Sequence, residues 1–289
     1  EPYRRQRQMC IRDRFNLIAG LRFDWFSEAK LSHFSPKLGL MYKLKNCSLR
    51  GSYAGGFRAP TLKEMYMNFY MGNIFMIYGN PDLKPESSHN FSLSAEYMKG
   101  RHNVTVTGFY NIVDDRITTA WNQALGGQVY TNMSRLQVAG VDANASGRYP
   151  CGVSWRLSYA YTYEHIRKGE PMLSSTRPHT ATARLAYDKD WKHYGLSVAL
   201  SGRWLSKVTT DVYTEITSYE QTERQTYPGY TIWKLSLTQR IWRGVNVTLA
   251  VDNLFDYRPR YYYSNSPSTT GTACSVGLSL DMERMFKKK

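Results

Sequence analysis

The 289-residue sequence lacks any run approaching the roughly 18 to 20 uninterrupted apolar residues that a membrane-spanning helix requires, which excludes a helical membrane protein. Cysteine is scarce: four residues, Cys10, Cys47, Cys151 and Cys274, with no CxxC pair. The six histidines, at 33, 89, 102, 165, 179 and 193, are scattered, so neither a zinc site nor thiol redox chemistry is implied. No Gly-x-Ser-x-Gly elbow is present, and Asp114 with Asp115 reads as a solvated loop pair rather than an acid/base dyad, so no enzyme site is expected. The N-terminus has no apolar core of a signal peptide. Its QRQMCIRDR string is of the kind produced by adapter read-through, and residues 1–14 are set aside as a non-native or unstructured leader.

Acidic charge is also short, with 23 Asp and Glu against 38 Lys and Arg, a net of +15. Arg4, Arg5, Arg7, Arg12 and Arg14 face only Glu1 and Asp13, and Arg284 with the basic tail 287–289 closes the chain, so the two ends hold +7 of that excess. The remainder is dispersed one residue at a time between apolar neighbours, which is the pattern of solvated or lumen-facing charge and not of a nucleic-acid-binding surface.

Aromatics are abundant: 23 Tyr, 11 Phe and 7 Trp, despite a mean hydropathy of −0.52. Their arrangement has period two, that of a strand with unlike environments on its faces. In 194–204, Leu196, Val198, Leu200 and Trp204 oppose Ser197, Ser201 and Arg203; in 153–164, Trp155, Leu157, Tyr159, Tyr161 and Tyr163 oppose Ser154, Arg156, Ser158, Thr162 and Glu164. About twelve such segments follow one another: 15–27, 35–44, 47–58, 88–100, 102–113, 128–148, 153–164, 179–189, 194–207, 230–242, 245–256 and 273–286. Connections alternate between short and long, the long ones following the first, third, fifth, seventh, ninth and eleventh segments. Up-and-down membrane barrels have a physical cause for that parity, with turns on one side and functional loops on the other. Tyr97, Tyr110, Tyr149, Tyr163, Tyr187, Trp204, Trp233 and Trp242 lie near segment ends, as interfacial girdles do. The fold class is therefore all-β, an antiparallel transmembrane β-barrel. Its short turns are periplasmic, with Cys47 and Cys151 among them too far apart to suggest a disulfide.

The third segment leads into a Phe-Arg-Ala-Pro box, Phe57, Arg58, Ala59 and Pro60, continued by Thr61, Leu62, Lys63 and Glu64. About twenty residues later stands an Asn-Pro-Asp-Leu box, Asn80, Pro81, Asp82 and Leu83, extended by Lys84, Pro85 and Glu86. Together with 108–117, the Val138–Asp142 step, 177–185 and 252–260, these resemble a TonB-dependent outer-membrane receptor of the haem or siderophore type, Bacteroidetes-like, over residues 15–286. The resemblance implies a barrel of about twenty-two strands with a plugged lumen. About twelve C-terminal strands of that barrel would then be present, and the plug, energy-coupling box and signal peptide would lie outside the chain. It further implies a Gram-negative outer membrane, surrounding lipid, the TonB complex acting through the plug, and an extracellular small ligand or a surface haem-delivery lipoprotein as partners.

The paired boxes are similar to those of haem receptors, and related boxes occur in receptors for siderophores and cobalamin. In the haem receptors a His between the boxes is an iron ligand, but residues 61–79 here contain none. They contain Met65, Met67, Met71 and Met76 with Tyr66, Tyr70 and Tyr78. Thioether and phenolate both serve as axial haem ligands, so haem is a candidate transported ligand, with no covalent cofactor implied. The same residues could instead pack the loop or a protein partner, and the Met spacing also suits soft copper. Further candidates are His165 and His179 near Arg167, Lys168 and Arg177, and Arg258, Arg260 and Tyr262 in a Tyr-rich loop. Tyr213, Tyr219, Tyr227 and Tyr230 enrich another. Arg58, at the external end of its segment, is expected to order the loop rather than touch ligand. A passive porin or an adhesin remains the alternative of another class.

Overall fold

The computed structural model describes residues 5–11, 14–26, 31–72, 75–166, 176–192, 194–213, 222–242, 244–260, 269, 271–280 and 282. In chain order the elements are β1 (Arg5–Ile11), β2 (Phe15–Phe26), β3 (Leu31–Leu44), β4 (Cys47–Arg58), α1 (Leu62–Tyr66), β5 (Phe69–Met71), β6 (Phe75–Tyr78), β7 (Glu86–Lys99), β8 (His102–Asn122), β9 (Gly127–Arg148), β10 (Val153–Ile166), β11 (His179–Asp190), β12 (Gly195–Leu205), β13 (Val208–Tyr213), β14 (Thr222–Tyr227), β15 (Tyr230–Trp242), β16 (Val245–Asp252) and β17 (Ala273–Leu280). The long strands form one antiparallel path, β1-β2-β3-β4-β7-β8-β9-β10-β11-β12-β15-β16-β17. Among the described residues the end strands β1 and β17 do not pair with each other, so the sheet is an open wall and not a closed barrel.

The alternation in sequence becomes two continuous faces. Tyr53, Phe91, Tyr110, Ala139 and Tyr163 are successive cross-strand partners in one apolar row. On the opposite face Arg50, Ser94, Thr107 and Asp142 follow each other, and Thr107 donates to Ser94 at 3.0 Å. Because the sheet is a single layer, no large side chain is fully buried among the described residues, and Leu93, Leu157 and Val276 remain more than half exposed. This is the arrangement that lipid on one side and water on the other would complete. Near the short-turn end of the apolar face His102 lies against Tyr149 and Trp155. Near the opposite end Tyr161, His179 and Trp204 cluster, so aromatic belts mark both margins.

All twelve expected segments are strands, but three expectations need correction. Residues 5–11, set aside as leader, form β1 and pair with β2 from Arg5↔Leu21 to Ile11↔Phe15; an edge strand recruits whatever extended backbone adjoins it. The first external connection is short, residues 27–30, because β3 begins at Leu31. The external connection expected at 114–127 is a paired arm instead: β8 and β9 run 21 and 22 residues and close in a turn at residues 123–126. Above the hydrocarbon a hairpin satisfies its own backbone groups, so the ladder has no reason to stop at the membrane edge. Asp115 takes φ 54° at the base of that arm, while Asp114 pairs with Arg135 at 2.6 Å rather than standing free. Cys47, Cys151 and Cys274 are free thiols.

The faces make a direct prediction. Leu93→Arg, mid-strand on the apolar face of β7, should destabilise the barrel in phospholipid vesicles by about 2–4 kcal/mol in urea unfolding. Ser94→Arg, one residue along and on the wet face, should cost far less; equal costs would show that the faces are assigned wrongly.

Candidate functional site

Arg58, the last residue of β4, organises the external end of the wall. Its Nε and Nη2 donate to the two carboxylate oxygens of Glu86 at 2.8 and 2.9 Å, and Nη1 donates to both oxygens of Glu64 at 2.9 and 3.0 Å. The planar fork of a guanidinium suits this double bidentate contact, which an ammonium could not reproduce. Glu64 belongs to α1, where it completes a capping box: its carboxylate accepts from the Thr61 amide at 2.8 Å, and its own amide donates to the Thr61 hydroxyl at 3.3 Å. Glu86 also accepts from the Ile117 amide at 2.6 Å, which ties the same cluster to β8. Partial burial works against ionisation of Glu64, but the Thr61 amide and the Arg58 guanidinium outweigh it and hold its carboxyl below the ordinary value of 4.5.

The second box closes the other end of the loop. The Asn80 amide donates to the Glu64 carbonyl at 2.9 Å, its side chain donates to the Tyr130 carbonyl at 2.9 Å, and its Oδ1 accepts from the Asp82 amide at 2.9 Å. Leu83 is buried. Asn132 on β9 accepts from the Lys84 amide and donates to the carbonyls of Lys84 and Asp115. Between the boxes β5 and β6 form a small hairpin, and β6 adds in parallel to β9 through Ile77↔Gln128 and Tyr78↔Val129. Close approach needs glycine: a methyl group on Gly79 would lie 2.7 Å from the Met65 carbonyl oxygen, and one on Gly127 would lie 2.6 Å from that of Met76. The two motif boxes are thus a mechanical clamp that seats residues 59–85 on the β8–β9 arm.

The clamp displays part of the expected ligand set. Tyr66, Met67, Tyr70 and Met71 are exposed, the tyrosines by 62% and 67%. Tyr70 and Met76 are cross-strand partners, which brings a phenol and a thioether together on one face of the hairpin, while Met71 opposes Phe75 on the other. Met65 is half-buried where Gly79 passes, and Tyr78 donates to the Leu125 carbonyl at 3.2 Å. The remaining candidates stand elsewhere. His165 is exposed at the outer end of β10. His179 bonds the Tyr159 hydroxyl through Nδ1 at 2.7 Å and lies tilted against Tyr161 with ring centroids 4.8 Å apart, so its described partners are those of the aromatic belt and not of the loop. Arg258 pairs with Asp256 at 3.1 Å and Arg260 is exposed. Tyr262, Tyr219, Arg167 and Lys168 lie outside the described residues.

Three structural residues escaped notice or were undervalued in the sequence. Arg177, read only as a flank, is buried; it donates to the carbonyls of Ser206 and Pro228 and lies 4.9 Å over the Tyr230 ring, which stacks on Tyr257. Asn132 has no motif around it to announce its role. Asn253 is likewise buried, with φ 52°, and its side chain brackets the Tyr257 backbone at 2.8 and 2.9 Å, so the 252–260 stretch is a turn scaffold. Among the described residues no cluster of three His, Cys, Asp or Glu could hold a metal ion.

Removal of the clamp should free the loop without unfolding the wall. Arg58→Ala is expected to raise amide hydrogen exchange of residues 62–66 by the equivalent of about 1–3 kcal/mol, and Arg58→Lys should recover only part of the protection. The lowered Glu64 carboxyl gives a definite pH dependence. Its stabilisation is fully present above the ordinary value of 4.5 and is lost as pH falls through the depressed one. Exchange corrected for its intrinsic pH dependence should therefore stay flat from neutral pH to about 4.5 and rise below it; a rise near pH 6 would contradict the arrangement.

The family model described as TonB dependent receptor-like, beta-barrel matches residues 6–254. The chain is 27% identical over 279 residues to the "Iron-regulated outer membrane virulence protein" of Vibrio cholerae serotype O1 (El Tor Inaba N16961), covering 88% of this chain and 40% of that protein. Its fold superposes on the siderophore receptor PirA from Acinetobacter baumannii with a TM-score of 0.74 at 21% identity, covering 94% of this chain and 44% of the other. It superposes on the FrpB iron transporter from Neisseria meningitidis with a TM-score of 0.70 at 20% identity, covering the same shares. The chain thus spans about 40% of the length of the curated relatives it matches. From the matched residues and the wall they form, the chain belongs to the TonB-dependent receptor β-barrel family.

Proposed function

We propose that residues 15–286 are the C-terminal barrel portion of a Gram-negative outer-membrane receptor that takes up an iron-bearing ligand, with TonB supplying the energy through a plug domain. The carrying observation is the clamped loop: Arg58, Glu64 and Glu86 fix residues 59–85 at the external end while Tyr66, Met67, Tyr70 and Met71 stay exposed. A rigid backbone bearing free aromatic and thioether side chains is suited to capturing a flat or aromatic ligand with little ordering cost. The Vibrio relative is named for its iron regulation, and the structural neighbours are a siderophore receptor and an iron transporter, which supports the same class. Within it, a ferric siderophore is the first reading. Haem is the second, favoured by the Tyr70–Met76 pair, which offers two axial ligand types side by side.

The test is a titration of the intact receptor in detergent with a ferric tris-catecholate, a ferric trihydroxamate and hemin, following intrinsic fluorescence and, for hemin, the Soret band. A saturable response to at least one of them, weakened about tenfold or more by joint Tyr66→Ala and Tyr70→Ala replacement, is expected, each buried aromatic contact being worth about 0.5–1.5 kcal/mol or more. A Soret shift lost in Met76→Leu would select haem. Cellular uptake of the bound ligand should cease when a protonophore collapses the proton gradient. Absence of a saturable response to all three ligands would overturn the proposal.

A further inference from the structure

The apolar face of the wall is not evenly filled. Along β11 its residues run His179, Ala181, Ala183 and Leu185, and the two alanines lie between much larger neighbours. Ala181 is the cross-strand partner of Tyr159 on β10 and of Trp204 on β12, Ala183 that of Leu157 and Gly202, and His179 that of Tyr161. Trp233 on β15 is the partner of Gly202 and lies across it, with three ring atoms 2.5 to 2.6 Å from where a β-carbon would stand. The result is a trough of about 360 Å³ with a floor of alanine and glycine and walls of Leu157, Tyr159, Trp204 and Trp233. This face points away from the lumen, so nothing enclosed by a barrel reaches it.

The length of the trough and its two ends fit one kind of occupant. Six residue steps from His179 to Leu185 cover roughly 20 Å of strand. At a tilt of about 45° that is roughly 14 Å of depth, close to the roughly 15 Å of hydrocarbon in one leaflet. Leu185 closes the lower end and is 55% exposed. At the upper end, level with the outer aromatic belt, the Tyr159 hydroxyl bonds His179 Nδ1 at 2.7 Å. With Tyr159 as donor, the neutral ring carries its proton on Nε2, which has no described partner. An apolar trough one leaflet deep, with a donor where headgroups begin, is complementary to a fatty-acyl chain and the polar head above it. Trp204 also borders a polar recess whose described charged residues are Glu164, Lys207, Asp211 and Arg224, two of each sign, with Arg224 paired to Asp211 at 3.4 Å. That balance favours a zwitterionic head over an anionic one.

We propose that the trough along β11 is a lipid site for a zwitterionic glycerophospholipid, with one acyl chain lying on Ala181 and Ala183 between Tyr159 and Trp204, and His179 Nε2 donating to an oxygen of the head. The site is on the outside of the wall and is separate from the clamped loop.

The intact receptor, stripped of lipid in a mild detergent, is to be titrated with phosphatidylethanolamine and, separately, with phosphatidylglycerol of the same chains and with lipopolysaccharide, bound lipid being counted by native mass spectrometry. A single phosphatidylethanolamine should be retained under conditions that strip the rest, and phosphatidylglycerol should be held less tightly. Ala181→Phe with Ala183→Phe fills the trough and keeps the face apolar, and should abolish that retention. Ala95→Phe, on the same face of β7 between Leu49 and Val106, should leave it unchanged. His179→Phe keeps the trough open and removes only the donor; it should weaken retention about three- to tenfold, the worth of one hydrogen bond, and it carries the test if the filled variant fails to fold. No lipid retained by the wild type, unchanged retention in the filled variant or in His179→Phe, equal loss in Ala95→Phe, or a preference for phosphatidylglycerol or lipopolysaccharide would overturn the site. So would a dimer that trough filling converts to monomer, which would assign the trough to a second copy of the chain.

Discussion

Backbone amides and carbonyls find no water in hydrocarbon, and every one left unpaired there costs several kcal/mol. Most features of this molecule follow from meeting that demand with strands. A wall one layer thick can satisfy its ladder without a second layer, so the protein needs no conventional core, and its apolar side chains are displayed rather than buried. An unpaired strand edge also explains why β1 is drawn onto β2, while β8 and β9 continue past the aromatic belt because a paired hairpin satisfies its own backbone groups there as well.

The external loop solves a different problem, that of being long and yet held. Residues 59–85 contain one short helix and two short strands, too little to fold alone. Order is imposed from two anchor points. Arg58 joins β4, α1 and β7 through two carboxylates, and Asn80 with Asn132 joins the loop to β9. Charge-assisted bonds at a half-exposed site are individually modest, but these share atoms with a helix cap and a strand amide, so loss of one loosens several. The motif residues hold the backbone, and Tyr66, Met67, Tyr70 and Met71 between them are exposed. On the wet face, serines and threonines bond across strands, as Thr107 does to Ser94 and Ser52 to Ser92.

Much of this was legible in the sequence because period-two patterning reports directly on which face a residue occupies. Leu93 and Ser94, or Trp155 and Arg156, stand on opposite faces as their alternation demanded, and all twelve segments became strands. Arg58, expected to order the loop, makes four bonds to Glu64 and Glu86. Connection lengths were less legible: the arm at 114–135 is polar and mixed, and nothing in its composition distinguishes a paired hairpin above the membrane from an irregular loop. His179 was equally ambiguous, since a lone histidine beside basic residues reads as a ligand until its neighbours Tyr159, Tyr161 and Trp204 are seen.

Alternation, turn residues and the two boxes by themselves determined the strand content, the two-faced wall and the family, because each is a local property written within ten or twenty residues. Only the tertiary structure decided that Asn132 and Arg177 are structural pins and that Tyr70 meets Met76. Those relations depend on the register in which the strands pair, and a shift of one residue would send a strand's side chains to the other face.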